Sequence, residues 1–342
     1  METLISTVAK LEDRLSQPNA GAVEALRGLP GDVIVLGIGG KMGPTLARMA
    51  RRALDQLGRK DRVLGVARFS APGLPAELER NGIVPIKCDL LDRAAVQNLP
   101  DAANVIFMAG QKFGTASEPE VTWVMNTVLP ALVAERYARS RIVVFSTGCV
   151  YPLVPVAGGG SREEDELAPP GDYANSCVGR ERVFTYFSRK NGTPVAIDRL
   201  YYAIDLRYGV LRDIADKVRQ GRPVDVTTGY FNCIWQQEAN AHALQCLAHA
   251  ASPPWIVNAT GPELLSVREM ATRLGKLLGL KVTITGREAP TAWIADTRKA
   301  RRVFGPPTVG IEQMLRWTAH WIKQGGAALG KPTHFEVRNG KF

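Results

Sequence analysis

The stretch Val33-Ile34-Val35-Leu36-Gly37-Ile38-Gly39-Gly40-Lys41-Met42-Gly43 decides the fold of this chain. Its first four residues form a continuous apolar run, which is typical of a strand buried on both faces of a parallel sheet. Glycines follow at positions 37, 40 and 43, and a helical pattern begins at about residue 45. Because glycine leaves the backbone N–H groups at the start of such a helix uncovered, a phosphate can approach them closely. We therefore predict a dinucleotide-binding loop; the alternative is a tight glycine-rich turn that binds no ligand.

The same alternation of strand and helix continues beyond this loop. Apolar runs at 63–66, 84–87, 105–108 and 142–145 are mostly separated by helical patterns, including those at about 121–138 and 173–190. Strands that alternate with helices form right-handed crossovers and a mostly parallel sheet covered on both faces. We predict an α/β fold, namely a Rossmann-like, doubly wound parallel sheet with a smaller C-terminal α/β substrate lobe.

The rhythm changes after about residue 200. Helical patterns at about 208–220, 237–251, 266–279 and 311–323 interleave there with short strand candidates at 256–258 and 282–284. We therefore expect four regions: an N-terminal helical extension at 1–30, a dinucleotide-binding Rossmann domain at 31–200, a substrate-binding lobe interleaved with the core at 201–324, and a peripheral basic tail at 325–342.

Composition excludes several classes of protein. Hydrophobic residues make up 45% and charged residues 22% of the 342 residues, which is ordinary for a globular protein and excludes collagen-like and disordered chains. The formal net charge of +10 favours an anionic partner, but no basic patch interleaved with aromatic residues indicates nucleic acid. No window approaches the roughly 20 apolar residues of a membrane helix.

The cysteines and histidines give no metal or disulfide pattern. The five cysteines are scattered, odd in number and without a C-x-x-C pair, which favours a reducing compartment, and the N-terminus does not read as a signal peptide. We therefore expect a cytoplasmic protein. The four histidines, at 242, 249, 320 and 334, show no ligand spacing, so we expect no metal site.

The end of the second strand indicates which dinucleotide binds. An acidic residue there would hold the adenosine ribose hydroxyls of NAD. This chain has Arg68 in that region and no carboxylate. A guanidinium can pair with a 2′-phosphate and stack on adenine. We therefore expect NADP, with NAD as the other option; alternatively, Arg68 is an ordinary solvated surface residue.

With these residues in view, the chain resembles the extended short-chain dehydrogenase/reductase superfamily, and within it the NAD(P)-dependent sugar epimerase/dehydratase family. The resemblance covers about 32–323 and rests on Gly37-x-x-Gly40-x-x-Gly43, on Ala109-Gly110-Gln111-Lys112 and on Phe145-Ser146-Thr147-Gly148-Cys149-Val150-Tyr151. It implies a hydride-transfer enzyme, with a homodimer formed through the helices at 121–138 and 173–190. The resemblance also implies a set of site residues, to which the glycine-rich loop and Arg68 are added. Catalysis is assigned to Tyr173, Thr147 and Lys112; cofactor binding to Gly37, Gly40, Lys41, Met42, Gly43, Arg68, Asp89, Leu90, Ala109, Gly110, Lys112, Asn126, Tyr173 and Tyr201; and substrate binding to Thr147, Gly148 and Tyr202.

One departure from the family concerns the catalytic helix. The family has Tyr-x-x-x-Lys, whose lysine helps to stabilise phenolate, whereas this chain has Tyr173 followed by Cys177. A neutral thiol supplies neither the charge nor the donors of an ammonium group. Three readings stay open: Lys112 or Arg180 takes over as the cation, Tyr173 works mainly as a proton donor, or redox chemistry has been lost.

A second departure concerns the substrate. Family members that bind nucleotide sugars carry an arginine that binds the diphosphate. The corresponding segment here, Phe231-Asn232-Cys233-Ile234-Trp235-Gln236-Gln237-Glu238, has no arginine. A smaller polyol, sugar or sugar acid is therefore favoured. Tyr201 and Tyr202 stand where the resemblance expects contacts with nicotinamide and substrate, although both could equally pack in the core. The expected function is NADP-dependent oxidation, reduction or epimerisation of a carbohydrate-type hydroxyl or carbonyl; the alternative is a catalytically degenerate NADP-binding sensor.

Overall fold

The structure, a computed structural model, describes residues 4–70, 72–112 and 117–341, so the ends of the expected first and last regions, 1–3 and 342, lie outside the described residues. The helices are α1 Val8–Leu15, α2 Ala20–Arg27, α3 Gly43–Gln56, α4 Leu74–Arg80, α5 Arg93–Gln97, α6 Pro119–Trp123, α7 Leu129–Arg136, α8 Asp172–Asn191, α9 Val210–Arg219, α10 Gln236–His249, α11 Val267–Leu278, α12 Arg298–Phe304 and α13 Ile311–Lys323. A π-helical turn, Val124–Val128, joins α6 to α7.

The strands that build the main sheet and the smaller pairs are β1 Val33–Leu36, β2 Val63–Ala67, β3 Val84–Lys87, β4 Asn104–Phe107, β5 Arg141–Thr147, β6 Val154–Pro155, β7 Val195–Leu200, β8 Ala203–Ile204, β9 Val224–Asp225, β10 Tyr230–Phe231, β11 Ile234–Trp235, β12 Trp255–Ala259, β13 Leu265–Ser266, β14 Ile284–Thr285 and β15 Thr291–Ala292. Seven of them form one parallel sheet in the order β12-β7-β5-β4-β1-β2-β3. The predicted Rossmann-like α/β fold is therefore confirmed.

Alternate residues of each central strand enter opposite layers of the core because side chains alternate along a strand. Val33 and Val35 of β1 pack with α2, α3 and α10 on one face of the sheet. Ile34 and Leu36 pack with α7 and Phe184 of α8 on the other face. Both layers are closed by helices, which explains why the predicted strand has no polar residue.

The sheet extends further than the sequence led us to expect. The strand β7 was not predicted, and β12, which we placed in the C-terminal lobe, lies beside β7 in the main sheet. The helix α10 comes from the same part of the chain and packs on that sheet. The chain beyond residue 200 therefore contributes to the main sheet as well as to a second apolar cluster built from α9, α11 and α13.

The C-terminal segment also differs from the peripheral tail that we expected. Phe335 is only 2% exposed and belongs to the second apolar cluster, and Val337 packs against the same small apolar cluster as Tyr173. Gly340 lies against the backbone of Pro170 and Gly171, immediately before α8. Residues 325–341 are therefore part of the folded body. None of the described helices is long and apolar enough to cross a membrane.

Candidate active site

The glycine-rich loop between β1 and α3 contains two kinds of glycine. Gly37 has φ +90°, and a Cβ there would lie 2.7 Å from the Ala109 backbone nitrogen. A Cβ at Gly43 would lie 2.3 Å from the Ile38 carbonyl oxygen, so this glycine allows the helix to pack against the loop. Gly40, in contrast, is exposed, and its Cβ would meet the nearest atom only at 3.6 Å. Gly37 and Gly43 are required by the fold, whereas Gly40 leaves room for a ligand.

This difference predicts opposite outcomes for two alanine substitutions. Gly43→Ala should destabilise the chain by about 1–3 kcal/mol, because its new methyl group overlaps the backbone of Ile38. Gly40→Ala should leave the melting temperature close to that of the wild type and weaken NADPH binding at least about tenfold, since the methyl group stands where a pyrophosphate would approach. Thermal unfolding and calorimetric titration measure both effects. Equal cofactor affinity in Gly40→Ala and the wild type would contradict the assignment of this loop.

A first cavity, of about 270 Å³, lies on the side of the loop that faces β2 and β3. Arg68 reaches it from the end of β2, and Asp89 and Leu90 follow β3. Ala109 and Gly110 reach it from the end of β4. Ligands of open α/β sheets bind outside the carboxyl ends of the strands, where the strand order reverses. In this sheet the chain adds β2 and β3 on one side of β1 and β4, β5, β7 and β12 on the other, so the strand order reverses at β1. The first cavity lies at this reversal.

A second cavity, of about 570 Å³, adjoins the first and shares Gly37, Gly39, Gly40 and Met108 with it. Its lining includes all three predicted catalytic residues and the three predicted substrate-side or nicotinamide-side residues, namely Lys112, Thr147, Gly148, Tyr173, Tyr201 and Tyr202. A Cβ at Gly148 would lie 2.1 Å from the Tyr201 ring, so the ring rests directly on this glycine. The two cavities together form one elongated space across the glycine-rich loop.

Tyr173 lies in the first turn of α8, where its ring lines the second cavity. Burial raises the pKa of this phenol well above 10, and the thiols of Cys177 and Cys149 act in the same direction. Arg180 and a hydrogen bond with Thr147 oppose the shift. The phenol is therefore neutral at pH 7 and can donate a proton.

Thr147 ends β5 and is oriented by the chain that follows it. Its hydroxyl oxygen accepts a hydrogen bond from the Cys149 N–H at 3.2 Å. A hydroxyl that accepts in this way still has its own proton to donate. Thr147 can therefore donate to the phenol oxygen of Tyr173 or to an oxygen of a bound molecule.

Cys177 does not replace the missing lysine as a charged group. It is fully buried in an apolar cluster with Val150, Tyr151 and Trp293. Burial raises the pKa of the thiol to about 11, so it stays neutral at pH 7. A neutral, enclosed thiol is neither a cation nor an activated nucleophile.

Two cations lie near Tyr173. The Lys112 Nζ atom is 5.9 Å from the centre of the Tyr173 ring and donates to the Thr333 carbonyl oxygen at 3.3 Å. Burial lowers the pKa of Lys112. Arg180 is 6% exposed and donates to the Phe145 carbonyl oxygen at 2.8 Å. Arg180 is therefore not among the residues that line the second cavity, although its charge acts on the pKa of Tyr173, whereas Lys112 lines the cavity close to the Tyr173 ring.

Asn126 has a different position from the one we predicted. It lies in the π-helical turn, is fully buried and is not among the residues that line either cavity. Its amide accepts from the Gln111 N–H at 3.1 Å and donates to the Gln111 carbonyl oxygen at 3.0 Å and to Ser176 Oγ at 2.9 Å. It also accepts from Arg180. Asn126 thus joins the segment that carries Lys112 to the helix that carries Tyr173.

Two residues of the glycine-rich loop that we predicted to contact the cofactor, Gly43 and Lys41, do not line the first cavity. Gly43 lines neither cavity and instead packs against Ile38. The Lys41 Nζ atom points away from the first cavity: it donates to the Ala203 carbonyl oxygen at 2.7 Å and lies 4.6 Å from the centre of the Tyr208 ring. Lys41 is therefore on the side of the second cavity that the later part of the chain encloses.

A buried ion pair joins α8 to β7, next to Ser146 and Leu200, which line the second cavity. Glu181 of α8 accepts from Arg199 of β7, whose Nε and Nη2 atoms lie 3.0 and 2.7 Å from its carboxylate oxygens. Ser146 donates to the same carboxylate at 2.5 Å. Arg199 also donates to the hydroxyl of Tyr151, and the interaction with Glu181 raises the pKa of Arg199 although burial acts in the opposite direction. The network fixes α8 to the ends of β5 and β7.

Several lining residues were not predicted from the sequence. Met125 and Leu129 reach the first cavity from the helix after β4, and Trp293, Leu329 and Lys331 reach the second from the C-terminal part of the chain. None of these positions carries a local motif, so no sequence signal could have found them. Among the described residues, no group of three or more histidine, cysteine or acidic side chains is placed so that it could hold a metal ion.

The parallel sheet, its glycine-rich crossover and the cavities at the strand ends define a Rossmann-like α/β protein. The family model described as the NAD dependent epimerase/dehydratase family matches residues 33–206, about half of the chain. The chain belongs to this family, which confirms the resemblance. No match was found among curated proteins.

Solved structures show the same fold at low sequence identity. A UDP-glucuronic acid 4-epimerase from Bacillus cereus in complex with NAD is 18% identical, with a TM-score of 0.70 over 86% of this chain and 99% of that one. A UDP-glucose 4-epimerase with UDP-glucose from Thermotoga maritima is 16% identical, with a TM-score of 0.69 over 86% and 99%. An epimerase from Methanothermobacter thermautotrophicus is 18% identical, with a TM-score of 0.70 over 90% and 97%.

Proposed function

We propose that this protein is an NADP-dependent oxidoreductase or epimerase that acts on a carbohydrate-type hydroxyl or carbonyl. The observation that carries the proposal is the pair of adjoining cavities that meet at the glycine-rich loop, with Tyr173, Thr147 and Lys112 around the second of them. The first cavity suits an adenosine group and the second a nicotinamide together with a small substrate. The family match supports an enzyme of this class.

The residues present fit a nicotinamide dinucleotide. Gly39 and Gly40 are exposed between the two cavities, where a pyrophosphate needs backbone without side chains. Asp89, Leu90, Ala109 and Gly110 would hold the adenine half, and Tyr201 would lie near the nicotinamide. Such a cofactor, when bound, accepts or supplies a hydride.

The chain's own residues would handle the proton. Tyr173, neutral at pH 7, would donate its proton to the oxygen of a carbonyl that is being reduced and would recover it when a hydroxyl is oxidised. Thr147 would orient the same oxygen by a hydrogen bond. Lys112, which faces the Tyr173 ring, would stabilise the phenolate that forms transiently and so take the place of the lysine that the family has four residues after the tyrosine.

The choice of dinucleotide is assigned to Arg68. We expect Arg68→Ala to weaken NADPH binding about 10- to 100-fold, the usual scale for hydrogen bonds to a charged group, with little change for NADH. Arg68 is exposed at the rim of the first cavity, so its removal should leave the fold intact. Calorimetric titration with both cofactors measures the difference.

A matched control is available at the other end of β2. Arg62 precedes β2, at the end opposite to Arg68, and its side chain is 58% exposed. Arg62→Ala removes the same charge but should not alter the ratio of NADPH to NADH affinity. Wild-type protein that binds both cofactors equally, or prefers NADH irrespective of Arg68, would exclude the NADP assignment.

Turnover distinguishes this enzyme from the alternative of a binding protein without catalysis. NADP reduction should be screened against sugars, polyols and aldonic acids, with NADPH oxidation against the corresponding carbonyl compounds. Epimerisation of the same compounds, measured by NMR, would reveal a reaction without net change of the cofactor. Stereospecific turnover of any of them excludes a pure sensor.

We also propose a homodimer through the helical stretches at about 121–138 and 173–190, the second of which lies within α8. Their outer surface carries apolar side chains that are 37–48% exposed, namely Val121, Trp123, Val124 and Val128. Contiguous exposed apolar surface of this kind marks interaction sites. Light scattering of the purified chain measures the mass that decides between dimer and monomer.

A further inference from the structure

The second cavity is completed by the C-terminal segment 325–341. Thr333 holds this segment in place, since its N–H and hydroxyl both donate to one oxygen of Asp213, at 2.8 and 2.6 Å. The Leu329 N–H donates to the Arg207 carbonyl oxygen at 3.1 Å. Leu329 itself and Lys331, which lies between the two anchors, line the cavity. The segment is therefore a wall of the candidate active site.

Lys41 approaches the same cavity from the glycine-rich loop. An ammonium group has three donors, and the Ala203 carbonyl oxygen accepts one of them at 2.7 Å. The Tyr208 ring, 4.6 Å away, provides a further favourable contact for the positive charge. These contacts fix the Lys41 ammonium group at the edge of the cavity with donor capacity to spare.

The charged side chains that line the second cavity are all positive. The lining contains three lysines, Lys41, Lys112 and Lys331, and no aspartate, glutamate or arginine among the described residues. Two carboxylates lie outside the lining: Asp205 pairs with Arg207 at 3.0 Å and Asp213 accepts from Thr333, and their charges also act on Lys41 and Lys112, respectively. Burial lowers the pKa of Lys41 to about 8, which still leaves it mostly protonated at pH 7.

We infer that the substrate carries a compact anionic group, a carboxylate or a phosphate monoester, and that Lys41 and Lys331 bind it. This inference rests on the proposed function and specifies its substrate class. Lysine acts as a point charge, whereas extended, planar recognition of a diphosphate typically uses the arginine fork. Since Lys331 belongs to the C-terminal segment, that segment determines specificity as well as closing the cavity.

Binding of small probes to the full chain tests the inference. In calorimetric titrations of the protein saturated with NADP, D-glucuronate or D-glucose 6-phosphate should bind at low millimolar concentration or better, and D-glucose more weakly than either. Lys331→Met and Lys41→Met should each weaken the anionic probe about 10- to 100-fold. Lys341→Met removes a charge from the same segment outside the cavity and should have no effect. Comparing the two anionic probes shows whether carboxylate or phosphate is preferred.

Three results would overturn the inference: D-glucose binding as tightly as the anionic probes, anion binding that is unchanged in both lysine variants, or no anion binding at all. Absence of anion binding contradicts the inference because ammonium groups recognise charge irrespective of sugar stereochemistry, so both anionic probes are expected to bind. Failure of the proposed function looks different, since a chain that binds no pyridine dinucleotide can still be titrated with the same probes. The loss of binding in Lys331→Met then separates this cavity from phosphate bound at the glycine-rich loop.

Discussion

Tyr173→Phe should lower kcat at least about 100-fold with the substrate that the screen identifies, the usual scale for a positioned acid–base group. The substitution removes only the hydroxyl, so the ring still packs in the cluster that contains Cys177 and Val337. The melting temperature and the affinity for NADPH should therefore change little. The effect should appear in kcat, because the proton is transferred in the chemical step.

A tyrosine on the same helix provides the control. Tyr186 also belongs to α8 and is 58% exposed, so Tyr186→Phe should retain wild-type turnover. Steady-state and single-turnover kinetics of the two variants separate the chemical step from cofactor release. Near-full activity of Tyr173→Phe would remove the tyrosine from the proposed mechanism and leave Thr147 and Lys112 as the candidates for proton transfer.

Glu181→Ala should lower the free energy of unfolding by about 3–5 kcal/mol, the range for removing one partner of a buried ion pair. The side chains of Arg199 and Glu181 are 3% and 4% exposed, so the substitution leaves an uncompensated charge in the core. Ser146 loses its acceptor as well. Urea denaturation followed by circular dichroism measures the loss.

An exposed ion pair provides the comparison. Arg93 and Glu135 are 66% and 39% exposed, and Glu135→Ala should change stability by no more than about 1 kcal/mol. If Glu181→Ala does not fold, a double variant that also carries Arg199→Met should recover the fold, since it removes the unpaired charge. Equal stability of Glu181→Ala and Glu135→Ala would contradict the role of the buried pair.

The main sheet illustrates what periodicity can reveal. The strand β1 and the helix that follows it were predicted within a few residues, because apolar runs and glycines are local signals. The strand β12 was recognised as a strand but placed in the C-terminal lobe and not in the main sheet, since its neighbour in the sheet, β7, is about 60 residues earlier in the chain. Pairing between distant strands is decided by packing, which leaves no mark in a short window of sequence.

The candidate site shows the same limit. Tyr173, Thr147 and Lys112 were predicted as catalytic residues from their positions in motifs, and in the structure all three line one cavity. Asn126 was also singled out, but the structure uses it to join two backbone segments behind that cavity. A motif identifies candidate site residues, whereas the direction in which a side chain points depends on the residues that pack around it in the folded chain.

By itself, the sequence determined the class of fold, the glycine-rich loop and the absence of the family's lysine at Cys177, because each of these is written in consecutive residues. Only the tertiary structure decided how Lys112 and Arg180 lie around Tyr173, where the Lys41 Nζ atom points and that the C-terminal segment lines the cavity. Lys112 and Tyr173 are 61 positions apart, and Lys41 and Lys331 are 290 apart. Such arrangements arise from the packing of the whole chain, because burial of apolar surface brings distant segments together irrespective of their order.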